Sequence, residues 1–244
     1  MRPSALGVYL VTLFAAASAA GEDLATFLAA ATAAARPSAT LRADGELVTT
    51  SPDGTARDRL VIVRRPNGDT YLALQTAGVR ALLRADGEAF IVPGPDEARE
   101  TFAADASFGG SEFTREDLQP FVAARYISPT IVDRNATEVT VSLTPRPSQY
   151  TLQAVTFDSA TRVPVKVMSY KDTVSNLLRM RRDRGLTEAG GTWLPTEVTM
   201  ENFPLRVIST MTLAWKPVDD TPGLFDPAAL DKPSTLTWPA PKAP

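Results

Sequence analysis

The chain has 244 residues, 25 basic and 28 acidic side chains, a formal net charge of −3, and neither cysteine nor histidine. Without cysteine no disulfide framework can hold an exported fold, so stability must come from an ordinary hydrophobic core. Without histidine the usual general base, the usual zinc ligand and any histidine-based triad are excluded, and dispersed basic residues on an acidic chain argue against nucleic acid as a partner.

The chain opens on Met1-Arg2-Pro3, an almost unbroken apolar run from Ala5 to Ala17, and then Ser18-Ala19-Ala20 ahead of Glu22-Asp23. This pattern predicts a secretory signal over residues 1–20, cleaved after Ala20, in preference to a spanning anchor, which needs about 20 apolar residues and no cleavage site. With no cysteine to carry a lipid, the mature protein is expected to be soluble. Residues 21–244 are expected to form one domain, since no Gly/Ser-rich or charged linker divides them.

Over residues 23–35 the apolar positions Leu24, Phe27, Leu28 and Ala31 recur at helical spacing, with acids at the start and Pro37 just beyond the end. An amphipathic helix is expected there. Further on, short segments alternate apolar and polar residues at period two, the mark of strands with one buried face. Examples are Leu60/Ile62, Leu72/Leu74, Val139/Val141/Leu143, Val163/Val165/Val167, Leu178/Met180, Val198/Met200 and Val207/Met211/Leu213. Turn-forming residues separate these runs at Ser51–Gly54, Pro66–Asp69, Asp86-Gly87, Asp158–Thr161 and Ala189–Gly191, predicting hairpins between neighbours. Between them, Thr114 and Asp117 are spaced as a capping box with Phe113 and Leu118 at staple positions, so a second, short helix is expected from Thr114. Pro120 should kink it or split it into two turns.

Many antiparallel strands with two helical insertions predict an α+β domain built on a strongly curved antiparallel sheet, an incomplete β-barrel, with the helices covering its concave face. Periodicity does not separate a packed interior from a cavity. Four further features have ready local explanations. Arg179, Arg181, Arg182 and Arg184 read as a solvated strand face, and Glu112, Glu116 and Asp117 as capping groups. Asp219 and Asp220 read as turn solvation, and the proline-rich tail 233–244 as loose. Neither acidic group is accompanied by a nucleophile, so no catalytic residue, metal ligand or cofactor is assigned and the protein is expected not to be an enzyme.

Two segments carry a resemblance. Gly110-Ser111-Glu112-Phe113-Thr114-Arg115-Glu116-Asp117-Leu118 and Gly191-Thr192-Trp193-Leu194-Pro195-Thr196-Glu197-Val198-Thr199-Met200-Glu201-Asn202 resemble the "GSDF-x-x-EDL" and "G-x-W-x-P-T-x-x-x-M-E-N" segments of the outer-membrane lipoprotein-sorting protein family, the LolA-like group. Leu224-Phe225-Asp226-Pro227-Ala228-Ala229-Leu230 is similar to its "LF-x-x-x-x-L" ending, so the resemblance runs from about Ser107 to Leu230. It implies a monomeric periplasmic carrier, an incomplete barrel lidded by helices around an apolar cavity for the acyl chains of a lipoprotein or another lipid. An inner-membrane exporter and an outer-membrane acceptor would be its partners. On this reading Leu60, Ile62, Leu72, Leu74, Val165, Val167, Met180, Val198, Met200, Met211 and Leu213 line the cavity, with Leu24, Phe27 and Phe113 on the lid. The family also has an arginine on an early strand that helps hold the lid shut. No motif places it here, and Arg64-Arg65-Pro66 is the candidate.

Burying one methylene gains about 0.8 kcal/mol, so a chain of about 14 carbons gains on the order of 11 kcal/mol before binding costs. An exposed ion pair to a head group adds only about 0–1 kcal/mol, and the walls are therefore expected to dominate. A reading of another class is an envelope interaction module with a solid interior, recruiting a transporter or assembly protein by strand addition at its sheet edge.

Overall fold

The computed structural model describes residues 22–146, 148–232 and 236–238, so the expected signal peptide and most of the proline-rich tail lie outside the described residues. The amphipathic segment forms α1 (Leu24–Ala34), begun by Asp23, whose carboxylate accepts from the Thr26 backbone N–H at 3.0 Å. Such a cap satisfies one of the orphan donors of the first turn. Its buried side chains are Phe27, Leu28 and Ala31, the stripe that the spacing predicts.

Thirteen strands follow: β1 (Leu41–Ser51), β2 (Gly54–Arg64), β3 (Thr70–Leu74), β4 (Arg80–Leu83), β5 (Ala89–Val92), β6 (Glu100–Thr101), β7 (Tyr126–Arg134), β8 (Glu138–Pro145), β9 (Leu152–Asp158), β10 (Pro164–Tyr170), β11 (Leu177–Ala189), β12 (Thr192–Asn202) and β13 (Val207–Pro217). They make one antiparallel sheet in the order β6-β5-β4-β3-β2-β1-β13-β12-β11-β10-β9-β8-β7. All five expected turns fall between adjacent strands. At the last, Gly190 and Gly191 adopt φ of 54° and 72°, the left-handed region that only glycine enters without strain.

The chain starts at the middle of the sheet, runs outward strand by strand to the β6 edge, and crosses to the opposite edge, β7. It then returns inward until β13 pairs with β1. The crossing segment, residues 102–125, spreads Phe102, Phe108, Phe113, Leu118 and Phe121 over one face of the sheet. That face carries two separate apolar clusters. One joins side chains of β1–β5, β12 and β13 to the first four of these residues, and the other joins α1 and Phe121 to β8 and β9. The opposite face of β2–β5 is covered by 3-10 turns at Pro222–Phe225 and Pro227–Asp231. Leu236 and Trp238 pack there too, so this part of the tail, expected to be loose, is held by an apolar face that needs a cover.

Two expectations change. The sheet is open, ending in two edges that do not pair with each other, and is not strongly curled towards closure. Side chains of the crossing segment and α1 fill its face, so closure is not needed to bury it. Among the described residues its cover also holds one α-helix instead of two. The Thr114 segment forms only single 3-10 turns at Glu116–Leu118 and Ala123–Arg125 on either side of Pro120, the split that the proline predicts.

Candidate functional site

The expected lining residues divide by location. Leu60, Ile62, Leu72, Leu74, Phe113, Val198, Met200, Met211 and Leu213 pack together in the first apolar cluster, and Phe27 is wholly buried in the second with Leu24 against it. Val165 lies at an irregularity in the β9–β10 register, and Met180 pairs with Met168 and Glu201 on the face opposite Arg181. Val167 lines an open chamber.

That chamber has a volume of about 370 Å³ and lies where the two clusters leave the sheet uncovered by packed side chains. Phe121, Val155, Val163, Val167 and Leu194 give it an apolar wall, and Arg64, Arg115, Arg125, Arg146 and Arg181 give it a basic one. A second chamber of about 220 Å³ adjoins it and shares Arg64 and Arg125.

β11 positions the centre of the polar wall. Alternation turns Arg179, Arg181 and Asp183 inward and Arg182 outward, where Arg182 meets Glu201. Arg179 is only 5% exposed, so the solvated-face reading holds for Arg182 and Arg184 and not for Arg179 and Arg181. Arg181 donates through Nε and Nη2 to both oxygens of Asp183 at 2.7 Å, and through Nη1 to the Asp117 carbonyl at 2.8 Å. Arg179 donates to the Asp117 carboxylate at 3.0 Å, to the Tyr150 hydroxyl and to the Glu112 carbonyl. Burial opposes the charge of both guanidinium groups. Asp183 outweighs it for Arg181, and Asp117 with Tyr150 for Arg179, so both pKa values end above the usual arginine range.

The crossing segment supplies the partners. Asp117 accepts from the Thr114 N–H at 2.8 Å and the Thr114 hydroxyl at 2.9 Å, which forms only the return half of the expected capping box, since the Asp117 N–H donates to the Thr114 carbonyl instead of its hydroxyl. Its second role, as counterion to Arg179, has no local sequence mark. Glu112 accepts from the Asn202 amide at 2.7 Å, so the two segments that carry the family resemblance touch in space. The turn before them needs its glycine: Gly109 has φ of 57°, and a Cβ there would stand 2.2 Å from Leu74 Cδ1.

Arg64, at the end of β2, donates through Nη2 to the Leu118 carbonyl at 3.0 Å. The crossing segment is thus tied down over the chamber by guanidinium-to-carbonyl bonds from Arg64, Arg179 and Arg181. Burial, with the charge of Arg181 nearby, pushes the Arg64 pKa down to about 10.

Glu116 stands at the rim. Burial, then the adjacent Asp117 charge, pushes its carboxyl up to about 7 against the pull of Ser148, Arg115 and Arg125. A carboxyl raised from 4.5 to about 7 on folding costs nothing below pH 4.5. Its penalty grows as pH rises from 4.5 to about 7 and is constant above that. Glu116→Gln is therefore expected to raise stability by about 1–2 kcal/mol at pH 8 and leave it nearly unchanged at pH 4.5, a difference that urea melts at the two pH values will resolve.

Among the described residues no group of acidic side chains is arranged to hold a metal ion, and no helix is long and apolar enough to cross a membrane.

No family model and no curated protein sequence matches the chain. Solved structures do. A domain from Vibrio parahaemolyticus described as an outer membrane lipoprotein-sorting protein is similar at 16% identity and a TM-score of 0.71, covering 84% of this chain and 97% of that one. A LolA superfamily protein from Nitrosomonas europaea is similar at 17% identity and a TM-score of 0.66, covering 84% and 98%. A DUF1329 family protein from Desulfovibrio piger is similar at 14% identity and a TM-score of 0.70, covering 86% and 100%. At these identities the likeness is one of fold: the chain has the LolA-like fold over most of its length.

Proposed function

We propose that the protein is a non-enzymatic periplasmic carrier that holds the apolar part of a lipid or lipoprotein under the crossing segment and passes it toward the outer membrane. The observation that carries this reading is the chamber of about 370 Å³, walled on one side by Phe121, Val155, Val163, Val167 and Leu194 and roofed by a segment fastened through hydrogen bonds. Guanidinium-to-carbonyl bonds can be exchanged for bonds to water, whereas Phe113, Leu118 and Phe121, which also hold the roof, would have to leave their apolar clusters. Lifting the roof is therefore favoured only when an apolar chain takes their place. Signal cleavage after Ala20 would leave a diffusing shuttle of a single domain, acting as a monomer between an exporter and an acceptor.

The residues first assigned to the cavity take a graded place in this reading. Val167 and its neighbours receive the ligand directly. Leu60, Ile62, Leu72, Leu74, Phe113, Val198, Met200, Met211 and Leu213 form a wall that a long chain would have to part, and the adaptable methionines Met200 and Met211 suit that task. Phe27 and Leu24 hold the helix beside the entrance.

Titration of the mature protein with a fluorescent fatty acid tests the reading. Saturable binding with a dissociation constant near micromolar is expected. Absence of any saturable signal would overturn the proposal.

The interaction-module alternative draws on β7, an edge strand whose Ile131 and Val132 are 36% and 63% exposed. Strand addition could occur there. The chamber of about 370 Å³ supports the carrier, whereas the close packing of Leu60, Ile62, Leu72 and Leu74 against the crossing segment supports the module.

A further inference from the structure

Two adjoining chambers share Arg64 and Arg125. The larger is lined by five arginines and three carboxylates, Glu116, Asp117 and Asp183. The smaller adds Arg36 and Arg84, the latter paired with Asp86 and Glu88, and has no carboxylate in its lining. Two of the three carboxylates are already engaged, Asp183 by Arg181 and Asp117 by Arg179. The third, Glu116, is held up near neutrality by its burial. Positive charge is therefore in excess, and it is concentrated on the wall between the chambers.

Arg64 is the clearest sign that a ligand is wanted there. No carboxylate lies within ion-pair distance of it among the described residues. Nη2 is bonded to the Leu118 carbonyl and the guanidinium lies 5.7 Å from the Trp215 ring centroid, but Nε is buried without any hydrogen-bond partner. Arg115, on the same chamber, also has a buried Nε without a partner. Buried unpaired donors on a charged group are costly, and a ligand that accepted from them would remove that cost. The repulsion between Arg64 and Arg181 adds to that cost, and an anion between them would remove both penalties together.

We infer that the shared wall, formed by Arg64 and Arg125 with Arg36 at the outer side, is a binding site for a phosphate head group, and that the cargo is an anionic amphiphile whose chain enters the larger chamber. The amphiphile part rests on the carrier reading; the anion site does not. Phosphate suits the wall because several guanidinium forks can each bond its oxygens. The neighbouring apolar wall then takes the first methylenes of the chain. Inside the chamber the charge pairs are less screened than on the surface, so the arginines weigh more than an exposed ion pair would.

Three probes separate the head group from the chain: oleoyl lysophosphatidic acid, monoolein and glycerol 3-phosphate, each titrated into the mature protein by calorimetry at low and high salt. Lysophosphatidic acid is expected to bind at least about tenfold more tightly than monoolein at low salt, with the ratio shrinking as salt rises. In Arg36→Gln/Arg125→Gln, neither of whose arginines fastens the roof, that ratio should fall to within about twofold, and exposed Arg36→Gln alone should give part of the fall. Monoolein binding reports that each variant remains folded. Equal affinity for lysophosphatidic acid and monoolein in the unaltered protein would overturn the anion site and leave the carrier standing, as would a ratio that the double variant does not change. Glycerol 3-phosphate binding as tightly as lysophosphatidic acid would uphold the anion site with free phosphate esters as its ligand, and would overturn the carrier. Failure of all three probes to bind overturns both.

Discussion

Arg181→Met is expected to lower folding stability by about 3–5 kcal/mol, the largest effect of any single change at the site. The substitution keeps the length of the stem but leaves the Asp183 carboxylate, whose side chain is 4% exposed, facing the chamber without its counterion. It also removes the bond to the Asp117 carbonyl, so the roof loses one of its fastenings. The cost is mainly that of stranding a buried charge, and it should shrink when the charge is removed as well. In Arg181→Met/Asp183→Leu more than half of the loss should return, because replacing both members of a buried pair by apolar groups of similar size is often nearly neutral. Urea midpoints of the wild type, both single variants and the double variant give the cycle. If the double variant were as unstable as the sum of the singles, Arg181 would be acting mainly through other partners.

Phe27→Ala should cost a comparable amount, about 3–5 kcal/mol, for a different reason. The ring is fully buried and meets Phe157 edge to face at 5.4 Å between centroids, with the Arg162 guanidinium 4.7 Å from its own centroid. Truncation leaves a cavity between α1 and the β8–β9 part of the sheet. Since Ala35, just beyond the end of α1, lines both chambers, the loss should reach the entrance too. Hydrogen exchange will distinguish the two components: amides of α1 should exchange faster than the global unfolding rate, while those of β1 and β13 follow the global rate. Uniform acceleration would show that the helix does not loosen separately.

Local patterns in the sequence mark the turns, the first helix and strands such as β2, β3, β8 and β12. Asn67-Gly68 and Asp86-Gly87 mark their hairpins because the turn geometry is set by the residues within it. Leu72 and Leu74 reveal β3 because each stands on the same side of a pleat. The Thr114/Asp117 box likewise foretold where a turn begins, and Pro120 where it stops. What alternation does not give is the direction in which a strand faces when both of its faces are mixed. On β11, Leu178 and Met180 suggested an apolar inner face, yet Arg179, Arg181 and Asp183 are the ones turned inward. Their partners, Glu112, Asp117 and Tyr150, come from segments remote in the chain, so only the folded crossing brings the charges together. The same is true of Arg64. Its place on an early strand was visible, and its bond to Leu118 was not.

The lining residues follow a similar division. Positions such as Leu60, Val198 and Leu213 face the side of the sheet that Phe102, Phe108 and Phe113 of the crossing segment occupy. Open space remains farther along, where Arg64, Arg181 and Asp183 stand in place of aliphatic groups. A site with an apolar half and a cationic half favours amphiphiles over plain hydrocarbons. For the proposed cargo the apolar wall would supply most of the affinity per atom, through about 0.8 kcal/mol for each methylene buried. The arginines would decide which end goes where.

Native mass spectrometry of the protein, purified from cells without detergent, tests the central claim most directly. The account predicts a population carrying one bound molecule, released on gentle activation as a phosphate-bearing species with a long apolar chain. A protein that flies only at its bare mass, and that stays bare after incubation with total membrane lipid extract, would contradict it.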